Sequence, residues 1–127
     1  MKNAAFILAL GLGLAGCITA DARPAGGGFA HVCKAVRSGP LTVTPLRVIE
    51  DSRCPRTVAC VWAGQVRIEA RIAGRGIAQR RQLTLGKPVD AGRSGSIALT
   101  AVEPGRAGTA GIAKSRYRFA FTFYPQG

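Results

Sequence analysis

The chain is poor in the side chains that most enzymes use. Of 127 residues, one is histidine and six are Asp or Glu. A histidine-dependent nucleophilic triad therefore has a single candidate base, His31, and no Gly-x-Ser-x-Gly elbow lies near it. Glu50 and Asp51 are adjacent acids, but neighbours on a strand point to opposite faces and do not share acid/base work. No phosphate-cradling glycine loop precedes a helix. The chain is accordingly not expected to be an enzyme, and it implies no cofactor. Internal repeats and a second long apolar run are also missing. Basic residues, by contrast, are in excess: 18 Lys plus Arg give a formal charge of +12. That balance favours polyanions such as lipopolysaccharide phosphates or anionic lipid head groups. The basic residues are scattered, only Arg80 and Arg81 are adjacent, and no nucleic-acid motif is present, so nucleic acid is not an expected partner.

The first residues carry an address. Lys2 and the terminal amine make a short positive region, followed by apolar Ala4 to Leu14. This stretch is shorter than the roughly 20 residues of a membrane-spanning helix. Its end, Leu14-Ala15-Gly16-Cys17, resembles the lipobox of bacterial lipoproteins. The resemblance implies cleavage before Cys17, a diacylglyceryl group on its thiol and an acyl chain such as palmitate on the new amine. Two or more acyl chains hold a protein stably at a membrane, at roughly 0.8 kcal/mol per buried methylene. Ile18 in place of Asp implies sorting to the outer membrane, if the host is Gram-negative. The competing readings are an ordinary cleaved signal ending near a cysteine, or a buried apolar helix. The expected organisation is a signal peptide over 1–16, a lipidated N-terminus and flexible Gly/Pro-rich tether over 17–28, and a single β-domain over 29–127.

Within that domain the hydrophobic pattern has period two. Strands are expected over Phe29–Arg37, Thr42–Glu50, Val66–Ile72, Ile77–Leu85, Ser96–Val102 and around Tyr117–Phe123. Pro45 lacks an amide donor, so its strand is expected at an edge or with a bulge. Val66, Ile68, Ala70 and Ile72 share one face, with Arg67, Glu69 and Arg71 on the other. Tyr117, Phe119, Phe121 and Phe123 form an aromatic wall, each contributing roughly 1.5–3 kcal/mol if fully buried. The fold class is therefore all-β: a small antiparallel β-sandwich or partly open barrel of six to seven strands. The Glu103–Ser115 connection has little pattern and is expected to be disordered.

Asp51-Ser52-Arg53-Cys54-Pro55 and Cys60-Val61-Trp62-Ala63-Gly64 make a compact unit between two of these strands. The unit is similar to the DSRCP-x4-C-x-W-x-G signature of a group of small exported bacterial proteins, many of them lipoproteins. That group has no established activity, so the resemblance implies an all-β fold and an exported address. Cys33 stands outside the signature. Residue chemistry adds that a turn can close Cys54 and Cys60 to disulfide geometry, which an oxidising compartment favours. So short a loop would stabilise the fold by roughly 2 kcal/mol. Asp51 and Ser52 can cap the turn, Pro55 can stiffen it, and Gly64 allows a bulge or a close backbone approach. Trp62 is expected over the disulfide or core edge.

The alternative for these residues is a soft metal site of His31, Cys33, Cys54 and Cys60, although their spacing lacks the paired Cys-x2-Cys of zinc sites. Without metal, Cys33 is expected as a buried, inert thiol. The leading functional expectation is a lipid-anchored, non-enzymatic binding or envelope-accessory module, meeting an envelope protein or a polyanion. A protease inhibitor presenting the Cys54–Cys60 loop is the alternative; it requires Arg56 to Ala59 to be exposed and extended.

Overall fold

A computed structural model describes residues 25–26, 28–61, 64–108 and 111–126. Nine strands occur among them: β1 (Ala25–Gly26), β2 (Phe29–His31), β3 (Val36–Ser38), β4 (Leu41–Asp51), β5 (Val66–Gly74), β6 (Ile77–Thr84), β7 (Val89–Asp90), β8 (Gly95–Glu103) and β9 (Arg118–Pro125). They form a five-stranded sheet, ordered β1-β3-β4-β5-β6, and a four-stranded sheet, ordered β2-β9-β8-β7. All pairings are antiparallel except β1 with β3. The sheets remain separate, so the all-β fold is a small sandwich and not a closed barrel.

The strand count exceeds the expected six to seven for identifiable reasons. The run Phe29–Arg37 is two strands, one in each sheet. Cys33 breaks it with a left-handed backbone, φ 67°, after which the chain crosses between layers. Ala25–Gly26, placed by sequence in the tether, pairs with β3, and the two-residue β7 is too short to show a pattern.

The long strands follow the pattern that predicted them. Val66, Ile68, Ala70 and Ile72 are buried on the inner face of β5. Gly74 pairs with Ile77, leaving Arg75-Gly76 as a two-residue turn with φ 45° and 80°, the mirror-image geometry that matches strand twist. On β9, Phe119 is fully buried and Phe121 and Phe123 are half-buried against the core. Tyr117, just before the strand, is 6% exposed and stacks on Phe119 with ring centroids 5.7 Å apart. Leu41, Val43, Ile68, Ile72 and Leu83 of one sheet meet Ile97, Leu99 and Phe119 of the other in a single core.

Strand β4 departs from simple alternation twice. Its register against β5 slips between Pro45 and Arg47, and again between Val48 and Glu50. The first bulge accommodates Pro45, as its missing donor required. The second has a larger consequence, because a one-residue slip exchanges the faces of all that follows. Val48 opposes Ile68, and Asp51, three residues on, opposes Val66 on the same inner face. Without that slip Glu50 would point inward and Asp51 would meet solvent.

Candidate functional site

Asp51 enters the sandwich at the end of β4 and is held there by a bidentate ion pair. The Arg53 guanidinium donates from Nε to Oδ1 and from Nη2 to Oδ2 of Asp51, both at 2.9 Å. Tyr117 donates its hydroxyl to Oδ2 at 2.8 Å. The carboxylate is thus met by a cation from its own turn and by a phenol that immediately precedes β9 of the opposite sheet. Arg53 also reaches the end of β8 and the connection after it, donating to the carbonyls of Val102 at 3.2 Å and Pro104 at 3.0 Å. In the reverse direction Arg106 donates to the carbonyls of Asp51 and Arg53, and its own carbonyl accepts from the Arg56 amide.

These contacts form a clamp joining the two inter-strand connections at one end of the sandwich. They correct the expectation of disorder for the start of the Glu103–Ser115 loop: Pro104 and Arg106 are tied to the cysteine unit. Ile112 further along packs partly against the core.

Burial would raise the Asp51 pKa, but hydrogen bonds from Arg53 and Tyr117, with the Arg53 charge, outweigh it and hold the carboxyl below its ordinary value. Arg53 is pushed upward, chiefly by its hydrogen bond to Asp51. Burial, aided by the hydrogen bond to Asp51 and its charge, pushes Tyr117 up to about 12. The resting state is a carboxylate with a guanidinium and a neutral phenol. Arg53 and Tyr117 both engage Asp51, so the arrangement holds the two connections together.

The rest of the signature serves the same junction. The Ser52 amide donates to the Gln65 carbonyl at 2.8 Å, and Ser52 Oγ accepts from the Gln65 amide at 3.0 Å. Ser52 therefore bridges to the returning chain and does not cap its own turn. Asp51 Oδ1 does accept from the Arg53 amide, at a long 3.4 Å. Gly64 is required by a close approach: its φ is 68°, and a Cβ there would lie 1.9 Å from the Ser52 carbonyl oxygen. Cys54 and Cys60 form a disulfide. Pro55 opens the loop between them, and its carbonyl accepts from the Val58 amide at 3.1 Å. Arg56 to Ala59 are exposed but fold as this turn and are not extended, which is not the conformation the inhibitor reading requires. Trp62 and Cys17 lie outside the described residues.

The alternative metal set of His31, Cys33, Cys54 and Cys60 is not brought together. Cys54 and Cys60 are spent on each other, and Cys33 is itself disulfide-bonded instead of the inert thiol expected. Among the described residues no three His, Cys, Asp or Glu gather as ligands. His31 and Cys33 instead line an open cavity of about 490 Å³ with Val32, Lys114 and Ser115.

Sequence reasoning missed Tyr117 and Arg106 as members of this cluster. A signal for Tyr117 was present: it is the one hydroxyl in a stripe otherwise made of Phe, and a buried hydroxyl needs a partner. Compared with known protein families, curated proteins and solved structures, the chain matches none.

Proposed function

We propose that this protein is a lipid-anchored, non-enzymatic binding module of a bacterial cell envelope, held at the membrane through Cys17. The observation that carries the reading is the positive–apolar–small–Cys17 pattern of the first 17 residues, followed by chain that soon joins a folded β-sandwich. The Cys54–Cys60 disulfide supports an oxidising compartment. The buried Asp51–Arg53–Tyr117 cluster supports a non-catalytic role, since its polar atoms are consumed in joining loops. In this reading the sandwich is a rigid platform and its outward faces meet the partner.

The reading makes a chemical demand on the cysteines. Of the four in the chain, Cys54 and Cys60 take each other, which leaves Cys17 as the one cysteine besides Cys33. The structure is that of the unprocessed chain from Met1; because a thioether-linked lipid at Cys17 and a Cys17–Cys33 disulfide exclude each other, the reading requires acylation of Cys17 in place of any such bond in the processed protein. Expression in a bacterial host with Cys17→Ala tests the anchor. The wild-type protein is expected in the membrane fraction and to resist extraction by high salt, whereas Cys17→Ala is expected to be salt-extractable or soluble. Equal, salt-resistant membrane retention of both would overturn the reading.

A further inference from the structure

The arginines that look scattered along the sequence are aligned by strand register on one surface. Arg37 of β3, Arg47 of β4, Arg67 and Arg71 of β5 and Arg80 of β6 all fall on the outer face of the five-stranded sheet. Five guanidiniums face two carboxylates there, Glu50 and Glu69. Arg47 and Arg80 share Glu69, at 3.0 and 3.8 Å, and Glu50 accepts from Gln65. Among the described residues Arg37, Arg67 and Arg71 have no ion-pair partner. The outer face of the four-stranded sheet is different: Arg118 is paired with Glu103, and Asp90 adds a further negative charge. Of the two outer faces, the five-stranded sheet carries the excess of positive charge.

Two details show that this face is not arranged for its own stability. Arg71 and Arg80 are directly cross-strand from one another, a like-charge pairing that disfavours the sheet. The Arg67 Nε is buried without a hydrogen-bond partner. The repulsion between the exposed Arg71 and Arg80 would be relieved by an anion laid against the face.

We infer that the outer face of the five-stranded sheet docks on the anionic lipid head groups of the membrane surface. The inference deepens the proposed anchored role and rests on it for its setting. A sheet presents its charges as a shallow two-dimensional array, with strands about 4.8 Å apart. Such an array matches many head groups of a planar surface at once. The chain approaching from the anchor also joins this same sheet, since β1 is its edge strand beside β3. Lipid anchor and basic face are then two signals for one membrane, the combination that makes attachment stable.

The test uses proteins starting at residue 17 with Cys17→Ala and Cys33→Ala, so that neither lipid nor a stray disulfide contributes. Binding to phosphatidylglycerol-containing vesicles is compared with binding to pure phosphatidylcholine vesicles. The inference expects binding to the anionic vesicles alone, present at about 0.01 M salt and lost near 1 M. Arg47→Gln/Arg71→Gln/Arg80→Gln is expected to weaken it by about tenfold or more. Lys34→Gln/Lys87→Gln/Arg93→Gln removes the same charge from exposed sites elsewhere and is expected to change it by less than about threefold. Urea midpoints confirm that each variant is folded. Equal losses in the two triple variants would overturn the inference, as would binding to a soluble sulfated glycan without binding to vesicles. Because the proteins lack lipid, failure here leaves the anchor standing, and failure of the Cys17→Ala fractionation leaves this result readable.

Discussion

Replacing Arg53 by Met keeps an apolar stem of similar reach and removes the guanidinium, so it isolates the polar part of the clamp. Asp51 is left as a carboxylate with a side chain only 8% exposed, and the carbonyls of Val102 and Pro104 lose their donor. Breaking a fully buried ion pair by deleting one partner costs about 3–5 kcal/mol. The Arg53 side chain is 17% exposed, so water reaches part of the vacated space and the lower end, about 3 kcal/mol, applies. A domain of this size has only about 5–15 kcal/mol in total. With a urea slope of about 1–3 kcal/mol per molar, the unfolding midpoint falls by about 1 M or more. The loss also depends on Asp51: in an Asp51→Ala background, Arg53→Met is expected to cost under about 1 kcal/mol. A single-variant cost below about 0.5 kcal/mol, or an equal cost in both backgrounds, would refute the clamp as described.

Protonation probes the same cluster from two sides. The Asp51 pKa is depressed in the fold, so its contribution is present above the ordinary carboxylate range and is lost as pH falls below about 4; urea midpoints across that range are expected to drop less steeply for Asp51→Asn. Tyr117 is raised to about 12, so the unfolded chain gives up this proton first and stability declines as pH rises from about 10 toward 12; Tyr117→Phe should lose that component and cost about 1.5 kcal/mol at neutral pH through its missing hydrogen bond. Gly64→Ala forces a Cβ toward the Ser52 carbonyl at a left-handed position and is expected to lower thermal stability by several degrees, or to displace the disulfide loop, read by proteolysis within 54–60. Phe119→Ala, fully buried between the sheets, should cost about 3–5 kcal/mol in urea, far more than Phe29→Ala at the surface.

The sequence was most informative where one period runs without interruption. Strand β5 and the Tyr117–Phe123 stripe are legible because each inward position is apolar, and Gly76 suits the positive φ of the turn after β5, although Arg75 beside it does not. Pro45 announced its bulge through a missing donor. The slip at Val48–Glu50 left no comparable mark, since Ile49 is as good a strand residue as its neighbours. Yet that slip decides that Asp51, and not Glu50, enters the sandwich. The division of Phe29–Arg37 was likewise hidden, because a cysteine is not a usual residue for a positive φ. The clamp was illegible for a different reason: Tyr117 lies 66 residues from Asp51, and Val102 lies 49 from Arg53. Only the stacking of two sheets brings them within reach. The basic face follows the same rule, since its arginines are separated in sequence and become neighbours through cross-strand register.

The central claim is that Cys17 carries the lipid, and intact mass of the membrane-extracted protein tests it most directly. The account predicts a chain that starts at Cys17 and bears the added mass of a diacylglyceryl group and an amide-linked acyl chain, with Cys54–Cys60 oxidised. An unacylated chain in which Cys17 survives in a disulfide, or one from which Cys17 has been cleaved away, would contradict it.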